Sequence, residues 1–270
     1  MFTELPGFSL VRQFFAKMRT AIGCQNPTNL DRTPLNNVSC DQHCAVILSI
    51  ANEIGEVKIE GYQLANLGSL YSEQGQIELA IENYEKAKNI AYETGNRALE
   101  ASMLVRLAEA YGVLKQINKS IDLYDQALVI FREIGERAGE GEGLNGLGQS
   151  YQTLGQYTRA IDYHNQALAI FREIDYPLGE AAALRHLGTT YHSIKELEQA
   201  EIFYKQALII YQKLEHRKAE GEQLRYLGIV YRDLGDIKQA EQYLKEALVI
   251  LDEVKSPYAD QVRQLLAELQ

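Results

Sequence analysis

Apolar residues return along this chain with two nested periods. The short period is helical. In residues 101–140, apolar or small side chains fall at Leu104, Leu107, Ala108, Tyr111 and Leu114, then at Ile117, Ser120, Tyr124, Ala127, Leu128, Ile130, Phe131 and Ile134. Spacings of three and four residues predict two amphipathic helices, each with one apolar stripe. The long period is 40 residues. It repeats without a gap as 61–100, 101–140, 141–180, 181–220 and 221–260. With positions numbered 1–40 in each repeat, positions 4 and 7 are always Leu, 11 always Tyr, 27 always Ala and 30 always Ile. The expected helices cover positions 1–14 and 17–34. A break at position 15 carries Gly75, Gly155 and Gly235, and a second lies near positions 35–38, as at Gly95-Asn96-Arg97 and Tyr176-Pro177. Lys115 and Lys195 stand where the other repeats have glycine, which predicts a less strained turn in those two. Neither helix can bury its stripe alone, so hairpins must stack to form a core.

The residues that recur carry a family resemblance. Repeat 3 shows Leu144, Leu147-Gly148, Tyr151, Gly155, Ala160 and Ala167, with His164 where Tyr84, Tyr124 and Tyr204 stand elsewhere. This pattern resembles the tetratricopeptide repeat. The usual form is 34 residues long with a proline near position 32; here that position is Tyr92, Arg132, Arg172, Gln212 or Asp252, so the second helix runs on. The longer form, with its Ile134–Glu140 linker, looks like the 40-residue repeats of Pins/G-protein-signalling-modulator scaffolds. Similar long repeats occur in kinesin light chains and bacterial adaptors. The resemblance implies an all-α fold: a right-handed α-α superhelix of stacked antiparallel helix hairpins, with a concave groove that binds peptides.

The ends depart from the pattern. Residues 41–60 match a second helix only, a half repeat, since Glu53-Ile54-Gly55-Glu56 aligns with Glu133-Ile134-Gly135-Glu136. Residues 23–39, with Pro27 and Pro34, read as a loop. Before it, Phe8, Val11, Phe14, Phe15, Met18 and Ile22 share one helical face, with Arg12, Lys17 and Arg19 making the segment basic. Residues 8–22 thus read as a helix that caps the array; a membrane-surface or partner-docking role is the less favoured alternative. Val262, Leu265, Leu266 and Leu269 predict a capping helix within 261–270.

Composition narrows the function. Lys plus Arg is 27 against 37 Asp plus Glu, a net charge of −10, which disfavours nucleic acid. No run of 18 apolar residues and no basic-then-apolar leader is present, so cytoplasm is the expected location. Gly141-Glu142-Gly143-Leu144-Asn145-Gly146 spells the dinucleotide-binding fingerprint, but that mechanism needs a preceding strand, and Leu144 is a repeat-core position. Cys40, His43 and Cys44, with Cys24, make a Cys₃His set suited to zinc. Cys40 and Cys44 occupy core positions 20 and 24, so buried free thiols without metal are expected. His164 is expected to be a packed, hydrogen-bonded core residue, and the many Glu to be solvated. No catalytic constellation is found, and neither enzyme activity nor a cofactor is expected.

A surface remains. On the first helix, positions 2, 5, 6, 9, 12 and 13 lie opposite the buried stripe. By the resemblance these face the groove. The candidate peptide-binding residues are Asn66, Arg106, Asn145, Gly146, Gln149, Arg185, His186, His192, Arg225, Tyr226 and Arg232. Asn and Gln amides can hold a peptide backbone, and the arginines in repeats 4 and 5 suit acidic partner residues. Gly146 should leave a dent for one bulky ligand side chain. Arg185 and Arg225 are expected to lie off the buried stripe. The function expected is a non-enzymatic protein-interaction adaptor. The alternative is a structural assembly protein that self-associates through its ends or its N-terminal helix.

Overall fold

The computed structural model describes residues 57–269. The expectations for 8–22, for the 23–39 loop, for the half repeat up to residue 56 and for Cys24, Cys40, His43 and Cys44 lie outside the described residues. Among those described, every regular element is a helix: α1 (Val57–Glu73), α2 (Ile77–Glu93), α3 (Arg97–Val113), α4 (Ile117–Ile134), α5 (Arg137–Thr153), α6 (Tyr157–Glu173), α7 (Pro177–Ser193), α8 (Leu197–Lys213), α9 (Arg217–Asp233), α10 (Ile237–Glu253) and α11 (Tyr258–Glu268). Consecutive helices pair as antiparallel hairpins. Two compact units meet at Ile130/Phe131 within α4. The first holds α1–α3 and most of α4; the second holds the last turn of α4 and α5–α11.

The second helices start at position 17 as expected, but the first helices start four residues earlier than the apolar pattern implies. The caps explain it. Asn96 accepts a hydrogen bond from the Leu99 amide at 3.2 Å, and Glu136 and His216 accept from the amides of Gly139 and Ala219. Each satisfies an N–H that the first turn leaves open. Pro177 opens α7, where its missing N–H costs nothing.

Both turns of the repeat use the same device. In the first, position 15 adopts a left-handed conformation, and the N–H at position 16 bonds the carbonyl of the tyrosine at position 11, as in Gln76 N to Tyr71 O at 2.8 Å. Lys115 at φ 62° and Lys195 at φ 67° are as left-handed as Gly75, Gly155 and Gly235. The expectation of a less strained turn at the two lysines is therefore wrong. The 16-to-11 bond sets the geometry whichever residue occupies the site.

Packing within a hairpin depends on position 8 of the first helix meeting position 24 of the second. A Cβ on Gly68 would lie 2.6 Å from the Tyr84 ring, one on Gly188 2.7 Å from Tyr204, and one on Gly148 2.4 Å from His164. Ala80, Ala160, Ala200 and Ala240 at position 20 are wholly buried. Two more glycines of α5 have a similar cause: a Cβ on Gly139 would strike Phe131, and one on Gly141 would strike Phe171. Gly141–Gly146 lies inside continuous α5, with helix α4 before it, so the nucleotide fingerprint lacks its strand and turn.

A ladder of charges joins helix starts to helix ends in the second unit. Arg132 Nε donates to Glu140 at 2.8 Å, and Arg137 donates to both Glu140 and Glu173. Arg217 repeats this with Glu220 at 2.7 Å and Glu253 at 3.0 Å. Glu140 and Glu220 are buried, as is Glu100 in the first unit, so not every Glu is solvated as expected. Burial pushes the Glu140 carboxyl up, but its bonds from Arg132 and Arg137 outweigh this and hold it below its ordinary range. At the C-terminal end α11 packs on α10, and Ala259 and Val262 join the core.

The turn geometry yields a test. A left-handed non-glycine residue costs roughly 1–2 kcal/mol, while glycine's extra freedom in the unfolded chain returns roughly 0.5–1. Lys115→Gly and Lys195→Gly should each raise stability by about 0.5–1 kcal/mol in urea denaturation. Unchanged or lowered midpoints would refute the strain.

A polar face on the first helices of the second unit

The face opposite the buried stripe is less open than the projection of a single helix suggests. Asn66, Arg106 and Gln149 are exposed, and Asn145, Arg185, His192, Tyr226 and Arg232 are partly so. His186 and Arg225 are buried, each 6% exposed. Ala65 and Val105 at the same position 5 are buried too, whereas Asn145 and Arg185 keep part of their surface. The expectation that Arg185 and Arg225 both lie off the buried surface therefore fails for Arg225. Gly146 is also buried, so the surface at the expected dent is closed over. The reason is common to all of these. The projection places a residue relative to its own hairpin and omits neighbouring elements: His186 lies against His164 of the hairpin before it, and Arg225 against Tyr258 of α11.

In the second unit these positions form a connected strip. His164 is fully buried in α6, and its Nδ1 donates to Asn145 Oδ1 at 2.7 Å. Its ring stacks on that of His186 in α7, 5.3 Å between centroids and 10° from parallel. Arg185 donates to Nε2 of His186 at 2.8 Å, and the Gln149 amide nitrogen lies against the same ring, 2.9 Å from Nε2 and 3.1 Å from Nδ1. One repeat later Tyr204 stacks on Tyr226 in the same way, at 5.1 Å and 7°. Ring 24 of one repeat thus lies against ring 6 of the next, as a His–His or a Tyr–Tyr pair. Further along, Thr190 donates to Gln152, while His192 and Arg232 both donate to Asp233. Burial pushes the Asp233 carboxyl up, and its bonds from Arg232 and His192 more than reverse the shift.

Arg225 has a different setting. Its guanidinium carbon lies 4.3 Å from the ring centre of Tyr226 and 4.9 Å from that of Tyr258 at the start of α11. Sequence reasoning missed Tyr258, which stands outside the first-helix pattern. It also missed the Arg232–Asp233 pair, because adjacent charges in a sequence need not face each other. The arginines at this end are thus unequal: Arg232 is held by a carboxylate, Arg185 by a histidine, and Arg225 by two rings.

Both stacked histidines are held neutral. Burial, then the positive charge of Arg185, lowers the His164 pKa to about 3 and moves His186 in the same direction. The donor hydrogen bond from Arg185 also requires an unprotonated Nε2 on His186. Among the described residues, no group of three or more His, Cys, Asp or Glu is placed to hold a metal ion. Nor is any described helix long and apolar enough to cross a membrane.

The tetratricopeptide repeat profile matches residues 64–94, 99–173 and 178–254. No curated protein matches the sequence. Several solved structures share the fold. BtubC (BKLC) from P. vanneervenii is 22% identical, with 92% of each chain covered and a TM-score of 0.64. A Rap protein complexed with competence and sporulation factor is 19% identical over 97% of this chain and 82% of its own, with a TM-score of 0.72. A signal-transduction ATPase of the STAND class with a tetratricopeptide repeat sensor, from Pyrococcus horikoshii, is 18% identical over 97% of this chain and 39% of its own, with a TM-score of 0.70. At these identities the likeness is one of fold.

The buried histidines set a pH dependence. In the unfolded chain each titrates near 6.5; in the folded chain it resists protonation. Folded pKa values below the unfolded value mean that this stability is complete above pH 6.5 and is lost as pH falls towards 3. Between pH 7 and pH 5, His164 alone should cost about 2 kcal/mol, with His186 adding in the same sense. The window lies above the carboxylate range, which separates the two effects. The His164→Tyr/His186→Tyr variant recreates the Tyr204–Tyr226 pair and should lose markedly less. Parallel pH profiles of denaturation midpoint for the two proteins would refute the assignment.

Proposed function

The chain belongs to the tetratricopeptide repeat family, and on that premise we propose that it is a non-enzymatic adaptor whose partner peptide lies across the first-helix face of α5, α7 and α9. The observation that carries this is the polar strip. Gln149, Gln152, Thr189, His192, Tyr226 and Arg232 all retain exposure on that face, while the opposite stripe of the same helices is buried. Amides and hydroxyls at successive positions can bond an extended backbone without specifying every side chain. The similar Rap protein, seen in complex with competence and sporulation factor, supports a fold that engages a factor of this sort.

The partner carries acidic residues. Asp233 already occupies Arg232 and His192, so in the last repeat the cation left for an incoming acid is Arg225, which is buried but held by no carboxylate among the described residues. Asn66 and Arg106 present the corresponding face of the first unit, where Arg106 pairs with Glu109 at 2.8 Å. The site acts by binding, in the cytoplasm, without cofactor or metal.

Buried Arg225 is unsuited to a test of binding by charge reversal, since a carboxylate between two aromatic faces would unsettle the fold itself. Gln149→Ala/Arg232→Ala avoids this. Gln149 is exposed and the Arg232 side chain is 34% exposed, so the variant should lose no more than about 1 kcal/mol of stability. Capture of partners from native lysate by the pair should fall at least about tenfold in affinity, as expected when a partner loses directed hydrogen bonds. Capture at unchanged affinity by a folded variant would overturn the reading. A concentration-dependent oligomer in light scattering would then favour the assembly alternative.

A further inference from the structure

Arg225 is a cation enclosed without an anion. It is 6% exposed, and its Nε is buried without a hydrogen-bond partner. Among the described residues no carboxylate or carbonyl binds its guanidinium. The contrast with its neighbours is direct. Arg185, at the same repeat position, donates to His186, while Arg217, Arg232 and Arg263 each hold a carboxylate. A guanidinium removed from water is expensive to leave unpaired.

The two rings hold Arg225 in a particular way. Tyr226 and Tyr258 contact the guanidinium within cation–π range, at 4.3 and 4.9 Å from their ring centres. Aromatic contact uses the flat face of the ion, whereas its five N–H donors lie in the plane. The rings therefore fix the ion's position without consuming its hydrogen bonds. Tyr226 is itself held by stacking on Tyr204, whose hydroxyl donates to Thr189. A planar anion with two oxygens matches the donor fork that is left.

We propose that Tyr226, Arg225 and Tyr258 form a subsite for a carboxylate of the partner, at the junction of α9 with α11. This rests on the adaptor reading and specifies where it accepts an acid. The binding partner supplies the missing counter-charge, and α11 is a wall of the site as well as an end cap.

The test uses three acetylated peptides: tetraglutamate amide, tetraglutamine with a free C-terminus, and tetraglutamine amide. They present side-chain carboxylates, a terminal carboxylate, and neither. The readouts are the Arg225 Nε–H resonance in the wild-type protein, and affinity for the wild type and for Arg225→Met. At least one carboxylate peptide should move that resonance and bind the wild type about tenfold or more tighter than the variant, the loss expected for a charge-assisted pair. The amide control should do neither. Which carboxylate peptide acts distinguishes an acidic side chain from a chain terminus. Arg225→Met should melt no lower than the wild type, because the charge it removes has no protein partner. A resonance unmoved by both carboxylate peptides, or equal affinity in the variant, would overturn the subsite; the wild-type resonance decides this even if the variant folds poorly. If the subsite fails while Gln149→Ala/Arg232→Ala still abolishes partner capture, the adaptor reading survives. If carboxylate binds at Arg225 and capture ignores the Gln149/Arg232 pair, the subsite stands and the placement of the partner across α5–α9 falls.

Discussion

Four of the five described hairpins are closed by a bulky side chain pressed against a helix that has given up its own side chain at that point; α3 keeps Ala108 there. Tyr84 on Gly68, His164 on Gly148, Tyr204 on Gly188 and Leu244 on Gly228 are the same contact. Interior glycine weakens a helix by roughly 1 kcal/mol relative to alanine, so the arrangement is favourable only because the bulky group enters the space. The consequence reaches the next repeat. A ring that has sunk between its own two helices offers its outer face to position 6 of the following first helix. His186 covers His164 and Tyr226 covers Tyr204 by that route. The closing contact of one hairpin therefore forms part of the floor of the next hairpin's polar face.

This explains which features could be read from the residues alone. The hairpins, their lengths to within a turn and the small-against-large packing were legible because they depend on contacts inside one repeat, and such contacts recur at fixed positions. Leu107, Leu147, Leu187 and Leu227 are all fully buried, as their invariance at position 7 implied. The starts of the first helices were not legible, because Asn96, Glu136, Tyr176 and His216 fill one structural role with four residue types. The turns at Lys115 and Lys195 were hidden for a related reason: a backbone conformation held by a 16-to-11 hydrogen bond tolerates a residue that would not choose it.

The candidate site was legible only in outline. The pattern identifies the helices and the face, and most of the expected residues lie on that face. It misplaces Arg225, His186 and Gly146, since a wheel drawn for one helix omits the neighbour that covers it. It also omits partners. Asp233 falls on the groove face by its position, yet its main effect is to occupy Arg232 and His192.

Two kinds of arginine follow from two kinds of neighbour. Along the turn edge, Arg132, Arg137 and Arg217 meet glutamates that the fold itself provides, and Glu140 and Glu220 are sheltered by those same pairs. Such groups satisfy one another and leave nothing for a ligand. On the first-helix face of the last repeat, two tyrosines supply attraction without accepting hydrogen bonds. Aromatic walls restrain a guanidinium while preserving its donors, which a carboxylate wall cannot do. Burial without neutralisation lowers the stability of the free protein. It also means that an acidic partner need not displace an existing ion pair in order to bind. A site prepared in this way accepts some instability in the unbound state in exchange for a charge already oriented and stripped of water.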